Sequence, residues 1–381
     1  MRIIIIGEFS SFSKNLSEGL RAIGHECFVF SWGDSFKKIE QDNGYTVFSP
    51  QKPRHFYSII RLKNRVDYYL SRYRLLNKIK EMSKGEKWDV VLVLNPAFIK
   101  KKTFDNLFSK EMILRLVNNP TAIFLSACGS DIPYYNFWDK QVWKNKELIE
   151  LNKKEKGVLS ASEFKHHEYC SSFINKVIPI MYDYAEAWRH SEYARSFIIC
   201  PTIPLPVNTQ RIKYNNEIKG KIVIFHGIIR PKAKGTHYIV SAMEKLERMY
   251  PDRVECYAEG GLPLDEYLKL LNRANILIDQ VYAGSSGMNA IYALAMGKVL
   301  LGGNEPENSR EYKIQHIPII NIGPDSDQIF KELEKLILNP EKIKRLSKEC
   351  REYAEKYHDA KIIAGRYIDV FNTSLNNNMC F

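Results

Sequence analysis

Two short stretches carry the residue types that could hold a diphosphate. The first is His226-Gly-Ile-Ile-Arg-Pro-Lys-Ala-Lys-Gly-Thr236. Gly227 and Gly235 let a backbone come close to a ligand. Arg230, Lys232 and Lys234 concentrate positive charge between an apolar run, Lys221–His226, and a helical pattern over 236–249. A helix N-terminus already favours an anion, and the three cations add charge-assisted donors. The same residues would also serve as a solvated basic loop with Gly235 as a turn residue.

The second stretch is Asp279-Gln-Val-Tyr-Ala-Gly-Ser-Ser-Gly-Met-Asn289, followed by an Ala-rich helical run through Tyr292 to Met296. Tyr282, Ser285, Ser286, Gly287, Met288 and Asn289 form a small-residue loop that would present backbone N–H groups where the helix begins. The plainer alternative is an N-cap by Ser285 or Ser286. Both stretches follow strand-like runs in the same half of the chain. Ligands of open α/β sheets sit at the carboxyl ends of the strands, so one shared phosphate site is expected.

The elements that must position these loops are legible as alternation. In the second half, Lys221–His226, Arg253–Ala258, Asn275–Gln280, Lys298–Gly302 and Ile317–Ile322 are short apolar runs. Helical patterns at 236–249, 264–273, 287–296 and 326–337 separate them, which implies a parallel, doubly wound sheet. Two more helices, about 340–356 and 359–373, complete it. The first half opens with a β-branched run, Arg2–Gly7, then an amphipathic helix through Leu16, Leu20 and Ile23, then a strand at Cys27–Ser31. Further strands are expected at Asp89–Leu94, Thr121–Ser126, Lys176–Met181 and Ser196–Cys200, with helices at 57–83 and 143–155. Between the halves, Pro201-Thr-Ile-Pro-Leu-Pro-Val207 reads as a stiff, extended connection. The domain boundary is therefore placed near 202–216.

A chain of 381 residues with a hydrophobic share of 45% suits two globular cores. The net charge of +12 is uneven: residues 51–100 hold 12 Lys/Arg against 4 Asp/Glu. Tyr57, Tyr68, Tyr69 and Tyr73 lie among the charges of the basic segment 52–87. That pattern fits an anionic membrane surface or a solvated helix face, and nucleic acid is not expected. Seven scattered cysteines without a CxxC pair suit free thiols in a reducing cytosol. The apolar run within Met1–Phe9 is too short for a signal peptide, and no run reaches the roughly 20 residues that span a bilayer.

Other motifs point elsewhere. Asp325-Ser-Asp327 has the spacing of a metal-binding pair but precedes a helical run, where Asp325 suits an N-cap. His166-His-Glu-Tyr-Cys170 crowds potential ligands too closely for a zinc site. The loop Gly7–Ser13 is not a dinucleotide fingerprint. No metal or cofactor is expected.

The two phosphate stretches resemble the donor domain of GT-B glycosyltransferases, the retaining family 4 in particular. That family has a Gly-Arg…Lys-Gly loop, matched by His226–Thr236. It also has a Glu-x7-Glu block running into an Ala-Met-Ala-x-Gly helix end, matched by Gly284–Val299. The first half matches at Gly7, at Ile23-Gly-His-Glu26, and at Ala127-Cys-Gly-Ser-Asp-Ile132, which resembles a His-Gly-Ser/Thr-Asp loop. The resemblance implies two Rossmann-like, doubly wound parallel-sheet domains facing across a cleft. These would be an acceptor-binding domain over 1–205, a nucleotide-sugar-binding domain over 206–358, and a terminal helix over 359–381 crossing back. It implies a retaining, metal-independent transfer from a UDP- or GDP-linked sugar to a glycan or lipid-linked acceptor, in surface polysaccharide or glycoconjugate assembly. It makes Arg230 and Lys234 the supports of the leaving diphosphate. Gly227, Lys232, Gly235, Tyr282, Ser285, Ser286, Gly287, Met288, Asn289 and Tyr292 would be donor contacts. Asp131 would join Arg230 and Lys234 as a catalytic residue at the cleft, and Gly7, Ser10, Ser11, Cys128, Gly129 and Ser130 would line the acceptor side. The sequence departs from the family where Gly284 and Tyr292 replace both glutamates, and Cys128 stands for a histidine. Two alternatives follow: an epimerase or hydrolase of the same fold, or a glycosyltransferase-like subunit without activity.

Overall fold

The computed structural model describes residues 1–31, 34, 39–46, 66, 70, 73–74, 77–82, 84–96, 110–118, 122–129, 131–139, 161–174, 176–195, 198–262 and 264–376. Ser130, the segment 143–155 and most of 57–83 lie outside these residues.

Strands β1 (Arg2–Ile6), β2 (Glu26–Ser31), β3 (Gly44–Thr46), β4 (Val90–Val93), β5 (Ile123–Ala127), β6 (Lys176–Pro179) and β7 (Ile198–Ile199) form one sheet. Their order is β3-β2-β1-β4-β5-β6-β7, and every pairing is parallel. Strands β8 (Ile222–Ile228), β9 (Val254–Gly260), β10 (Ile276–Ile278), β11 (Val299–Gly302) and β12 (Ile319–Asn321) form a second parallel sheet, in the order β12-β11-β10-β8-β9. Each apolar run expected to be a strand is one. β3 is an addition, a short half-buried edge with no apolar run to announce it.

Parallel strands covered on both faces must be apolar throughout, and Ile3, Ile4, Ile5 and Ile6 are all wholly buried. The first sheet reverses its order between β1 and β4, and the second between β8 and β10. Those reversals are the crevices where an open α/β sheet receives a ligand, outside the carboxyl ends of the strands. In the second sheet the crevice falls between the two stretches singled out above.

The two halves share apolar packing. One cluster runs from Phe12 and Leu16 through Leu205 and Val207 to Ile291 and Leu294, and on to Ile363, Tyr367 and Phe371. The last helix, Ala360–Asn376, lies against the first, Phe12–Ala22. Their approach is so close that a Cβ on Gly19 would sit 2.0 Å from the carbonyl oxygen of Ala360. The chain passes between the halves twice, side by side. Val207 N donates to His358 O at 2.8 Å, and Ala360 N to Val207 O at 2.9 Å. His358 is buried at this crossing, with Nδ1 2.8 Å from Leu205 O. Burial pushes its pKa down to about 4, so it is neutral at the junction.

Candidate functional site at the carboxyl edges of the two sheets

The basic loop is built on a glycine at each end. β8 is buried until its last residue, Ile228. Arg230 then takes a left-handed conformation, φ 59°, ahead of Pro231, which disfavours the right-handed helical region for its predecessor. One helical turn, Pro231–Lys234, leads to Gly235 at φ 67° and the helix Thr236–Met249. A Cβ on Gly235 would lie 2.3 Å from Val281 Cγ2, and one on Gly227 would lie 2.7 Å from Tyr267 Cε2. Both glycines therefore seat this loop against its neighbours, and Gly235 also supplies a backbone angle that side chains resist.

The three cations separate into two kinds. Arg230 and Lys232 are exposed. Lys234 is buried, and its Nζ donates to Asp279 Oδ1 at 2.8 Å and to Gly227 O at 3.2 Å. An ammonium has three donors, so one remains. Asp279 stands just past β10, and Asn289 Nδ2 lies 3.4 Å from the same oxygen. Burial alone would raise the Asp279 pKa, but the Lys234 charge and these hydrogen bonds outweigh it and hold the carboxyl below its ordinary range. Tyr267 Oη donates to Asn289 Oδ1 and completes the chain. Beneath the loop, His226 is wholly buried between Ile278 O (2.9 Å) and Thr236 Oγ1 (3.0 Å). Desolvation pushes its pKa down to about 4, against the Ile278 hydrogen bond.

The second loop is gripped from several sides. Tyr282 is buried, and Val281 N donates to Lys234 O at 3.1 Å, which ties the two loops together. Gly303 has no room for a side chain, since a Cβ would lie 1.9 Å from Ala283 O. Ser286 Oγ donates to Gly303 O at 2.9 Å. Ser285 is buried, its Oγ 2.7 Å from Asp183 Oδ1 and 2.7 Å from Asn308 Oδ1. Neither serine caps the helix Met288–Ala295. Its N-cap is Gly287, with no side-chain hydrogen bond, and a Cβ there would meet nothing within 4 Å. The helix therefore starts without a side-chain cap, with open space off Gly287 and Met288 buried next to it. Tyr292 Oη accepts from Asn15 Nδ2 at 2.7 Å, so its hydroxyl ties the two halves together.

On the facing edge, Gly7 has φ 112°, and Ser10 and Ser11 have φ 52° and 68°. Two successive non-glycine residues in the left-handed region mark a strained turn. Ser10 N donates to Asp34 Oδ2 at 2.8 Å. Gly129, φ 73°, would place a Cβ 3.1 Å from Phe9 Cε2, so that turn packs closely on the first. Cys128 is buried, and its pKa is pushed up by desolvation and by Glu8, Asp131 and Asp34. Asp131 is turned inward. Its Oδ1 accepts from Tyr134 N at 3.0 Å and its Oδ2 from Trp188 Nε1 at 2.9 Å. Burial raises its pKa to about 7 against those hydrogen bonds. Glu8 is buried at the tip of β1 and accepts from Ser13 N (3.3 Å), Lys14 N (3.0 Å) and Gln41 Nε2 (2.8 Å). Burial raises its pKa to about 7 as well.

Glu8, Asn15, Asp183 and Tyr267 were not singled out in the sequence, and Asp279 was quoted without a role. Glu8 and Asp279 did carry a signal, since each is an acidic residue just beyond a buried apolar run, 3–6 and Ile276–Ile278. Asp183 and Asn15 carried none, because their partners lie 102 and 277 residues away. Of the other motifs, Asp325 caps its helix, accepting from Asp327 N and Gln328 N. His167 packs on Trp188 and Tyr193. Among the described residues, no group of three His, Cys, Asp or Glu could hold a metal ion.

No protein-family profile matches the chain, and no curated protein matches it. Solved structures do. Sucrose-phosphate synthase (tll1590) from Thermosynechococcus elongatus superposes with a TM-score of 0.62 at 13% identity, covering 99% of this chain and 100% of that one. Alr3699/HepE of Anabaena, in complex with UDP and glucose, gives 0.56 at 10% identity, over 98% and 99%. WaaG, a glycosyltransferase involved in lipopolysaccharide biosynthesis, gives 0.57 at 13% identity, over 97% and 99%. The fold is that of GT-B glycosyltransferases along its whole length. The resemblance read from short motifs holds at the level of architecture.

Proposed function

We propose that the chain is a glycosyltransferase, moving a hexose from a UDP- or GDP-linked sugar to a glycan or lipid-linked acceptor with retention. The carrying observation is the pairing of the Arg230–Gly235 loop with the uncapped start of the helix Met288–Ala295, on either side of the β8/β10 crevice. Fixed positive charge and a helix start without a side-chain cap flank that crevice, which is what a diphosphate requires. In this reading 206–358 is the donor domain and 1–205 the acceptor domain, with the terminal helix joining them.

The residues divide the work. Exposed Arg230 and Lys232 meet the phosphates. Lys234, half-neutralised by Asp279, offers its remaining N–H and holds the loop to the sheet. Charge develops on the leaving diphosphate as the glycosidic bond breaks, and these cations stabilise it without a metal or a protein nucleophile. A donor phosphate oxygen takes the proton of the acceptor hydroxyl. Gly287, Ser286 and Asn289 face the phosphates and sugar. Ser10, Ser11 and Gly129 shape the acceptor side, while Asp131 and Cys128 support it from within.

A lipid-linked acceptor would be met at an anionic membrane face, where surface glycoconjugates are assembled. Val66, Leu70 and Tyr73 favour this, because they are exposed apolar residues at helical spacing within the basic segment. Among the described residues, no helix is long and apolar enough to cross a membrane. Cosedimentation with anionic vesicles checks this. Binding that survives charge reversal at Arg61, Lys63, Arg72 and Arg74 would rule the segment out.

The central test is nucleotide release from UDP- and GDP-sugars with and without acceptor. Release that needs acceptor supports transfer. Equal release without it would mean a hydrolase or epimerase. No binding of any nucleotide diphosphate would sink the enzymatic reading.

A further inference from the structure

Asp183 lies in the amino-terminal half, in the first turn of the helix Tyr182–Arg189, yet its carboxyl reaches into the loop of the other half. It is buried, as are Ser285 and Asn308. The backbone N–H groups of Ser285 and Gly284 also point to it. This places a carboxyl against the backbone of Gly284, immediately before Gly287 and the uncapped helix start.

The hydrogen count at this junction is short by one. Ser285 Oγ is 2.7 Å from Asp183 Oδ1 and 2.7 Å from Asn308 Oδ1. The orientation of the Asn308 amide is set by its Nδ2, which donates to Gly284 O at 2.7 Å and to Glu305 O at 3.0 Å. Its Oδ1 must therefore be the atom facing Ser285. A hydroxyl has one proton and cannot donate to both acceptors. The arrangement closes if the carboxyl brings a second proton. Asp183 Oδ1–H then donates to Ser285 Oγ, and Ser285 donates to Asn308 Oδ1.

We propose that Asp183 is a positioning residue that acts as a neutral carboxylic acid, holding the loop 284–287 from the opposite half in the shape that receives the donor phosphates. The inference rests on the donor-site reading for its consequence, though not for its proton. The surroundings agree. The titratable groups that face Asp183 are Glu305 on the turn before the helix Pro306–Tyr312, together with Tyr182, Tyr184 and Tyr312. None is a cation. Burial raises the Asp183 pKa to about 6 from its ordinary 3.8, opposed by the Ser285 and Gly284 donors. Ionisation leaves Ser285 Oγ to choose between two acceptors and releases its bond to Asn308. The loop then loosens on the side next to Gly287.

The test uses the full-length chain, with Asp183→Asn and Asp183→Ala beside the unaltered protein, and UDP and GDP as probes from about pH 5 to 8. An asparagine can donate to Ser285 and accept from the backbone, and it cannot ionise. Expected is nucleotide affinity that falls several-fold in the unaltered protein across this range. Asp183→Asn should be flat with pH and close to the low-pH value of the parent. Asp183→Ala should be weaker by about tenfold throughout, from a lost buried hydrogen bond. Identical pH profiles for the parent and Asp183→Asn would overturn the proposal, as would parent-like affinity in Asp183→Ala. Melting temperature measured over the same range is the second readout. The parent should lose stability relative to Asp183→Asn as pH rises through about 6, because its folded pKa is raised. That difference persists even if neither nucleotide binds, a result that would defeat the donor-site reading alone. A difference that stays constant with pH would defeat the neutral acid.

Discussion

The two carboxyl edges bury acidic residues in the same place and treat them in opposite ways. Beyond β10, Asp279 meets Lys234 at 2.8 Å and stays ionised despite complete burial. Beyond β1 and β5, Glu8 and Asp131 meet backbone N–H groups, Gln41 and Trp188; among the described residues neither pairs with a Lys or Arg side chain. Their pKa values rise to about 7. Neutral donors do not repay the desolvation of a charge, whereas a buried cation does. One edge therefore holds permanent charge, which suits a ligand that is always anionic. The other holds protons near neutral pH, where a hydroxyl acceptor would be met.

The comparison breaks most sharply at Lys234. Lys234→Ala leaves Asp279 buried without its partner, and loss of about 3–5 kcal/mol of stability is expected in chemical denaturation. The paired change Lys234→Ala with Asp279→Ala should recover much of that loss. Failure to recover would mean that the pair is incidental to the edge. Next is Arg230→Ala, which removes an exposed cation. Turnover should fall roughly 100-fold, as for the loss of a transition-state donor, while the melting temperature holds. Unchanged turnover would move the phosphate site elsewhere.

On the other edge, Glu8→Gln isolates one proton. The Glu8 pKa is raised from 4.5 to about 7, so its contribution to stability is complete below pH 4.5 and is lost as pH rises through about 7. The melting temperature of the parent should therefore fall relative to Glu8→Gln over that window. A falling difference in the reverse direction would show that Glu8 is ionised like Asp279. The smallest effect is at the seam between the edges. Tyr292→Phe removes the hydroxyl's hydrogen bonds to Asn15 and Ser11 and should cost about 1–2 kcal/mol. A large loss of nucleotide affinity in that variant would mean that the hydroxyl also serves the donor.

The edge of the second sheet was far more legible than the edge of the first. Arg230, Lys234 and Gly235 lie within six residues between a clear strand and a clear helix, so local spacing alone brought them together. The motif did not tell Lys234 from its neighbours, although burial and Asp279 make it a structural cation. Ser285 looked like a helix cap or a phosphate donor. It is instead engaged by Asp183 and Asn308, and the cap is Gly287. At the edge of the first sheet, Asp131 looked like a cleft residue by resemblance, but Trp188 draws it inward.

By itself the sequence determined the strands of the two parallel sheets, the main helices of the second half and the place of the basic loop. Wholly buried strands must be continuously apolar, surface helices must be amphipathic, and glycine is favoured where the backbone turns left-handed, as at Gly235. Each of these is a property of neighbours along the chain. Only the tertiary structure decided which carboxyls are charged, that the Tyr292 hydroxyl faces Asn15, and that Asp183 grips the loop of the opposite half. Ionisation depends on what else is buried within a few ångströms, and those partners come from strands and helices far apart in sequence.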